Sequence, residues 1–257
     1  MDVFTLLNEK GGVAKTTLAI TLAAAAARDG RRVLLIDSDP QATGTLALGF
    51  KKQPAFYNLI QRGDPWGDLL QQVDNERIAS QVQGSMFILP GNVETRNLSV
   101  DDAGILMDRL QELQDHFDLV VIDTAPTPSV IHILIYAATN AIIYPTQLES
   151  FSVDGIAASM KNLRRYSQYR QVNGLSEIKP IGLVPTMTNL NTNEHMANLN
   201  ELKKAGLPIL RPIHRRITWS EAAAARQSIF AFAPDSLAAV DGENFYQFAV
   251  QHMTQGV

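Results

Sequence analysis

Residues 6–20, LLNEKGGVAKTTLAI, contain the side chains of a phosphate-binding loop in a spacing that departs from the usual one. The usual pattern is G-x-x-x-x-G-K-[ST], but Glu9 and Ala14 stand at its two glycine positions. Lys15 and Thr16 are in place, and in such loops the lysine reaches the β- and γ-phosphates while the hydroxyl holds Mg²⁺. The segment is an altered nucleotide-binding loop, a damaged one, or a glycine-containing turn.

The position of this segment favours a nucleotide-binding loop over a simple turn. It follows the apolar run VFTLLN at 3–8, which we predict to be a strand, and it opens a helical stretch at 15–29. Successive backbone N–H groups and the N-terminus of a helix then point at one place, where an anion is stabilised. Lys15 and Thr16 would lie at that place.

Apolar runs and helical patterns alternate along the whole chain. The near-continuous apolar runs are typical of strands in a parallel sheet that is buried on both faces. The alternation predicts an α/β fold with a doubly wound, mostly parallel sheet flanked by helices, in one domain over 1–257. The stretch 41–85 is the least regular and is predicted to elaborate the sheet edge. The remaining predicted strands are 32–39, 86–90, 118–126, 141–146, 180–186 and 208–213, and the remaining helices lie near 100–116, 129–138, 151–170, 192–206, 219–227 and 241–253.

Composition excludes several classes of protein. With 46% hydrophobic residues in 257, the chain can bury a full core, so disorder is not expected. It has no cysteine, which excludes disulfides, thiolate zinc sites and cysteine-ligated iron–sulfur clusters. The N-terminus has no basic region before its apolar run, and no later run approaches a membrane span. We therefore expect a cytoplasmic protein.

Charge is unevenly spread along the chain. The net charge is −4, yet residues 161–226 hold 11 Lys and Arg against 4 Asp and Glu, whereas residues 1–160 hold 11 against 19. Asymmetry of this kind indicates a face that binds polyanions. Ordinary scatter of charges on a solvated surface is the alternative.

Four spaced motifs carry a family resemblance over nearly the whole chain. KGGVAKTT, beginning at Lys10, resembles the deviant Walker A loop of the ParA/MinD group of P-loop ATPases, K-G-G-x-x-K-[ST]. LLIDSDPQATGT at 34–45 is similar to the second motif of that group, and LVVIDTAP at 119–126 to its Walker B strand. IHRRITWSEAAAARQSI at 213–229 resembles its late segment I-P-R-x-x-x-x-S-E-A, with His214 in place of proline. The resemblance implies that Glu9 does not damage the loop, because this group does not require the first glycine of the usual pattern.

The resemblance implies ATP hydrolysis with Mg²⁺, which needs charge neutralisation, a bridging metal ion and a positioned water. Lys15 would neutralise charge on the phosphates, and Thr16 would hold the metal ion. Asp39 is the best candidate to orient the water, with Asp37 supporting it, and Asp123 is expected to reach Mg²⁺ through water; all three follow buried strands, where α/β folds place ligands. A turn or helix N-cap is the alternative role for the aspartates. The residues expected to contact ATP through the loop are Lys10, Gly11, Gly12, Val13, Ala14, Lys15, Thr16 and Thr17, and those expected to hold the metal are Thr16, Asp37 and Asp123.

Two further expectations about ATP rest on the resemblance alone. Lys10 is the signature lysine, which in the family crosses a dimer interface to the phosphates of the partner's ATP, so a homodimer is implied. Adenine contacts in relatives come from loops after the later strands. That pattern indicates Thr186, Met187 and Pro212.

The family offers several outputs for a nucleotide switch, and the one expected here is non-specific DNA binding by the ATP-bound dimer, as in partition ATPases. Candidate DNA contacts are Arg215 and Arg216, followed by Arg164, Arg165, Lys203 and Lys204, which would place the protein on the nucleoid. An adaptor related to ParB is expected to stimulate hydrolysis and to link the ATPase to a cargo such as a plasmid, a chromosome or a protein organelle.

Two alternatives to DNA binding stay open. The first is a MinD-like spatial regulator on the membrane, which is disfavoured because the C-terminal segment 242–257 contains no Lys or Arg. No membrane partner is therefore expected. The second is a nucleotide-locked structural dimer or filament with negligible turnover.

Overall fold

The computed structural model describes residues 1–127, 129–148, 153–189, 193–203 and 206–254. Within these ranges seven strands form one sheet. They are β1 (Asp2–Leu6), β2 (Arg32–Asp37), β3 (Gln71–Gln72), β4 (Ser85–Leu89), β5 (Leu119–Asp123), β6 (Ala141–Gln147) and β7 (Lys179–Thr186).

The strand order in the sheet is β3-β4-β2-β5-β1-β6-β7. Every pairing is parallel except that of β3 with β4. The central strands β2, β5 and β1 end at the same edge, because Asp37 pairs with Asp123 and Asp123 with Leu6. The sheet therefore collects the ends of three separated sequence motifs at one edge.

Helices connect and cover the strands. In chain order they are α1 (Lys15–Arg28), α2 (Thr43–Ala47), α3 (Ala55–Tyr57), α4 (Trp66–Leu69), α5 (Asn75–Ile78), α6 (Ile105–Gln111), α7 (Val130–Ala138), α8 (Val153–Val172), α9 (Asn193–Leu202), α10 (Thr218–Ala224), α11 (Ile229–Phe232) and α12 (Leu237–Thr254). A π-helical segment covers Asn58–Arg62, and a 3-10 helix covers Val93–Asn97.

The core lies on both faces of the sheet. Strand side chains alternate between the faces, so Phe4 and Leu6 pack with α1, α11 and α12, whereas Val3 packs with α6 and α7. At the β6–β7 end, Tyr144 packs on the α7 face with α8 and α9. Helix α1 fits closely because its consecutive alanines at 23–27 are fully buried and alanine is the best helix former. This architecture confirms the predicted doubly wound, mostly parallel α/β fold.

One predicted strand is wrong, and one short strand was missed. Residues 208–213 do not form a regular strand. Ile209 forms an isolated β-bridge with Leu183, and His214, just after this segment, forms another with Thr188. Pro208 and Pro212 lack the N–H groups that a ladder needs, which explains the interruption. The missed strand β3 has two residues and lies in the irregular stretch 41–85, at the edge of the sheet as expected.

Over the described parts of the chain, we find no helix that combines the length and the apolar character needed to cross a membrane.

Candidate functional site

The loop between β1 and α1 has the backbone turns that a phosphate-binding loop needs. Gly12 and Ala14 both have positive φ angles, 75° and 68°. The Ala14 carbonyl then accepts the first helical hydrogen bond, from the Leu18 N–H at 3.0 Å. The loop therefore leads directly into the N-terminus of α1, as the sequence predicts.

Lys15 lies inside this loop. Its ammonium Nζ donates to the carbonyl oxygens of Asn8 at 2.8 Å and Lys10 at 2.9 Å, and the residue is only 6% exposed. Burial lowers the pKa of Lys15, whereas the carboxylates of Asp123 and Asp39 act to raise it. The cation is thus held at the centre of the loop and near two acidic groups.

Asp37 is completely buried and well supplied with donors. Its carboxylate accepts from the Thr45 N–H and the Thr45 hydroxyl, both at 2.7 Å, and from the Asp39 N–H at 3.3 Å. Burial is the main reason that the pKa of Asp37 is raised to about 6. These bonds give Asp37 a defined orientation beside Asp123.

Asp123 is also completely buried, but its environment differs. Neither of its carboxylate oxygens meets a hydrogen-bond donor in acceptable geometry within the part of the chain that the structure describes. Burial, and then the neighbouring Asp37, raise the pKa of Asp123 well above the usual range of an aspartic acid, while the Thr16 hydroxyl and Lys15 act in the other direction.

The residues present fit a magnesium ion. Buried carboxylate oxygens that accept no hydrogen bond are uncommon, so those of Asp123 are available to a cation. They lie close to the Thr16 hydroxyl, whose oxygen is a ligand that Mg²⁺ accepts. Among the described residues no three His, Cys, Asp or Glu side chains gather into a metal cage. Mg²⁺ bound with a nucleotide keeps several waters and takes its other ligands from substrate phosphates.

Asp39 is the more accessible of the three aspartates. It is half-buried, and its Oδ1 accepts from the Gln41 N–H at 2.8 Å, which is an Asx-type turn. A turn was the alternative role predicted for Asp39. In the structure Asp39 both forms this turn and lies near Lys15. Asp39 is therefore the one of these three aspartates whose side chain is partly exposed to solvent.

Sequence reasoning missed several residues that build this edge. Thr45 holds Asp37, and its hydroxyl also accepts from the Gly91 N–H at 3.0 Å. A Cβ at Gly91 would lie 2.5 Å from the Asp37 carbonyl oxygen, so a side chain does not fit there. The Ser38 hydroxyl donates to the Asp123 carbonyl at 2.6 Å. Thr45 and Ser38 lie within the quoted motif 34–45 and could have been found there; Gly91 carries no local signal.

The residues predicted to contact adenine lie at the same end of the sheet as the loop. Thr186 is fully buried, and its hydroxyl donates to the Val13 carbonyl at 3.2 Å. Met187, half-buried with φ 52°, follows it directly. Pro212 is half-buried, and the N–H of the next residue, Ile213, donates to the Pro185 carbonyl. Their assignment to adenine stays a prediction.

The loop residues predicted to contact ATP differ in exposure. Lys10 and Gly11 are exposed at the front of the loop, Thr16 and Thr17 are half-buried, and Val13 is buried. The Lys10 N–H donates to the Asn8 side chain at 2.8 Å, and its carbonyl accepts from Lys15. The backbone of Lys10 is thereby fixed on both sides while its side chain stays exposed.

The predicted DNA contacts fall on two faces of the sheet. Arg164 and Arg165 are exposed on α8, and Lys203 is exposed after α9; these helices pack on the α7 face. Lys204 lies outside the described residues. Arg170, in the same basic segment, is 3% exposed and donates to the Ser176 carbonyl at 2.7 Å, so it serves the fold and not a surface.

Arg215 and Arg216 lie on the other side, next to α12. Arg215 is exposed, and its N–H donates to the Thr188 carbonyl at 3.1 Å. The Arg216 side chain is 29% exposed and forms an ion pair with Asp241 at 3.4 Å, and His214 contacts the same carboxylate at 3.1 Å. Arg216 therefore has an intramolecular partner that the sequence did not indicate.

The positive φ of Ala14 leads to a stability prediction. For an L-residue with a Cβ, the left-handed region costs about 1–2 kcal/mol, which glycine avoids. We expect Ala14→Gly to raise the free energy of unfolding by about 1 kcal/mol, measured by urea unfolding, even though glycine is more flexible when unfolded. The control Ala24→Gly, in the buried middle of α1, should lower it by at least about 1 kcal/mol. Equal losses in both variants would contradict the strain at Ala14.

The fold and the loop define a nucleotide-binding protein of the P-loop class. Residues 1–174 match the AAA_31 family model, described as an AAA domain. The chain belongs to this family, and it is a ParA-type P-loop ATPase, as the motifs predicted.

Individual relatives agree with this assignment. The chromosome-partitioning ATPase Soj of Thermus thermophilus is 36% identical over 159 residues, which make up 62% of this chain and 59% of Soj. Cobyrinic acid a,c-diamide synthase of Mycobacterium smegmatis, solved with ADP and magnesium, is 25% identical, with a TM-score of 0.79 over 100% of this chain and 97% of that one. Apo McdA of Cyanothece shares the fold, with a TM-score of 0.78, 21% identity and coverage of 98% and 99%. The segment that matches Soj thus spans less than two thirds of Soj.

Proposed function

We propose that this protein is a Mg²⁺-dependent ATP hydrolase whose ATP-bound form pairs with a second copy and binds DNA non-specifically. The observation that carries the first part is the fully buried carboxylate of Asp123, whose oxygens meet no donor in acceptable geometry among the described residues and which lies beside Thr16 and Lys15. ATP and Mg²⁺ are the cofactors of this site, and the neighbour from Mycobacterium smegmatis was solved with ADP and magnesium.

Each residue of the site has a role in hydrolysis. Thr16, and Asp123 through water, would hold Mg²⁺ with Asp37 supporting them, and the bound ion would supply charge neutralisation to the nucleotide phosphates. Lys15 offers its ammonium to the same oxygens in place of the Asn8 and Lys10 carbonyls. Asp39 orients the attacking water, since it is the accessible carboxylate of the three. Asp37 fixes the Asp39 N–H.

A second copy completes the site through Lys10. The Lys10 side chain is exposed, and its backbone is anchored to Asn8 and Lys15, so the side chain leaves the loop from a fixed point. A cation supplied in trans stabilises the charge of the phosphoryl-transfer transition state. ATP would then lie between two facing protomers and join them.

DNA binding is proposed from the exposed basic residues, which lie on both faces of the sheet. Residues 161–226 carry a net charge of +7, from 11 basic and 4 acidic residues, and Arg164, Arg165, Lys203 and Arg215 are exposed. Phosphate neutralisation by such residues gives sequence-independent affinity that falls with salt. Because a dimer doubles the number of contacts, ATP-driven pairing would switch affinity on. Nucleoid association would follow.

Charge reversal tests the arginine assignment. We expect Arg215→Glu to weaken binding of the ATP state to non-specific DNA and to reduce the log–log salt slope by about 0.9 for each DNA phosphate that the variant no longer neutralises. The Arg215→Glu, Arg216→Glu double variant should lose more affinity, although its second substitution also places a carboxylate beside Asp241. Fluorescence anisotropy across a salt series measures both values.

The matched control reverses another adjacent arginine pair, Arg31 and Arg32, at the amino end of β2, whereas the phosphate-binding loop follows the carboxyl end of β1 in the same set of parallel strands. The Arg31→Glu, Arg32→Glu variant should keep DNA affinity close to that of the wild type. Unchanged affinity in both double variants would remove Arg215 and Arg216 from the DNA surface.

The nucleotide dependence of DNA binding separates the three outputs. Strong binding with ATP, and weak binding with ADP or without nucleotide, supports the proposal. Sedimentation with lipid vesicles in ATP would instead support a membrane-associated regulator. Dimers that persist without phosphate release, with or without DNA, would support a structural dimer.

The ATPase is proposed to act with an adaptor of the ParB type or another cargo-linked protein. Such an adaptor would stimulate hydrolysis, separate the dimer and release the DNA, so that a plasmid, a chromosome or a protein organelle is partitioned or positioned. Soj is a chromosome-partitioning ATPase and is 36% identical over the matched segment, which supports this class of output.

A further inference from the structure

Two side chains outside the phosphate loop hold its backbone. The Gln147 amide nitrogen Nε2 donates to the Gly12 carbonyl at 2.9 Å, and the Thr186 hydroxyl donates to the Val13 carbonyl at 3.2 Å. Gln147 ends β6 and Thr186 ends β7, so these contacts cross 135 and 173 positions of the sequence. They hold two consecutive peptide units.

The two bonds determine where the loop's own donors point. A trans peptide unit is planar, with its C=O and N–H directed oppositely. Holding the Gly12 carbonyl therefore turns the Val13 N–H away from Gln147, and holding the Val13 carbonyl turns the Ala14 N–H away from Thr186. Both N–H groups belong to the turn that precedes α1, where backbone donors bind anions.

Gln147 also connects the loop to the turn after β7. The Gln147 amide also lies 2.9 Å from the Met187 sulfur, and Met187 has a left-handed backbone with φ 52°. Val13 is 1% exposed and Thr186 is completely buried, so the contact between them is shielded from solvent. Hydrogen bonds in such surroundings hold their geometry because water does not compete for them.

We propose that Gln147 and Thr186 are positioning residues for nucleotide binding. They fix two peptide units before the phosphates arrive, so binding does not have to order the Val13 and Ala14 N–H groups. This inference rests on the proposed function, since it takes a nucleotide phosphate to be the anion at the loop. It assigns to the Thr186 hydroxyl a contact with the loop backbone, and the contact of Thr186 with adenine stays a separate prediction.

The test uses substitutions that keep shape and remove the donor. Gln147→Met and Thr186→Val should each raise the Kd for Mg-ATP and Mg-ADP about tenfold in calorimetric titration. Steady-state KM should rise by a similar factor while kcat changes by less than about twofold, because the deleted interaction is made in both ground and transition states. Thr186→Ser restores the hydroxyl and should return both constants to near wild type.

Controls separate positioning from general stability. Gln111→Met removes an exposed amide at the end of α6, and its Kd should match that of the wild type. Melting temperatures of all variants show whether they fold; if Thr186→Val does not, the half-buried Gln147→Met carries the test. Wild-type Kd values in Gln147→Met, or no recovery in Thr186→Ser, would overturn the inference. Failure of the wild-type protein itself to bind ATP would instead overturn the proposed function.

Discussion

Replacing Lys10 with alanine is expected to lower ATP turnover by about 10³- to 10⁵-fold, the range of a cation supplied in trans to phosphoryl transfer. The Lys10 side chain is exposed, and the melting temperature of the variant reports whether the fold is kept without it. The backbone contacts of Lys10 with Asn8 and Lys15 do not need the side chain. The decrease should therefore come from the facing protomer and not from the loop.

Two measurements check this expectation. Phosphate release reports turnover, and light scattering with a non-hydrolysable ATP analogue reports the dimer, which Lys10→Ala should weaken. Calorimetry should still detect nucleotide binding to the variant protomer, because Lys15 stays in place. Lys51→Ala, which removes an exposed lysine elsewhere, is the control. A Lys10→Ala protein that pairs and hydrolyses ATP normally would refute the role in trans.

Replacing Asp39 with alanine is expected to lower kcat by about 10²- to 10⁴-fold, as for removal of a group that activates or orients water. Nucleotide binding should persist, because Lys15, Thr16 and the loop N–H groups do not depend on Asp39. The variant should therefore accumulate as an ATP-bound dimer. Phosphate release, together with the nucleotide content of the purified dimer, measures this.

The Asp39→Asn variant distinguishes chemistry from turn geometry. Its amide oxygen can still accept from the Gln41 N–H, so it keeps the Asx-type turn but loses the negative charge. We expect Asp39→Asn to be nearly as inactive as Asp39→Ala. Wild-type turnover in the asparagine variant would mean that Asp39 only shapes the turn.

The sequence by itself determined six of the seven described strands, the loop, and the three aspartates at or after the ends of buried strands. Apolar runs of five to nine residues can be buried on both faces of a sheet only when helices cover it, so the doubly wound class followed from pattern. The loop was readable because lysine and threonine at the start of a helix perform local chemistry. The same local reasoning failed for 208–213, where prolines interrupt an apolar segment that runs beside β7.

Only the tertiary structure decided which contacts hold the loop and the aspartates in place. Pairing of β2 with β5 places Asp37 opposite Asp123, and burial then raises both pKa values. The contacts of Gln147 and Thr186 with the loop, and of Asp241 with Arg216, join residues far apart in the chain. No local pattern encodes such contacts, because they depend on which strand ends become neighbours when the sheet assembles.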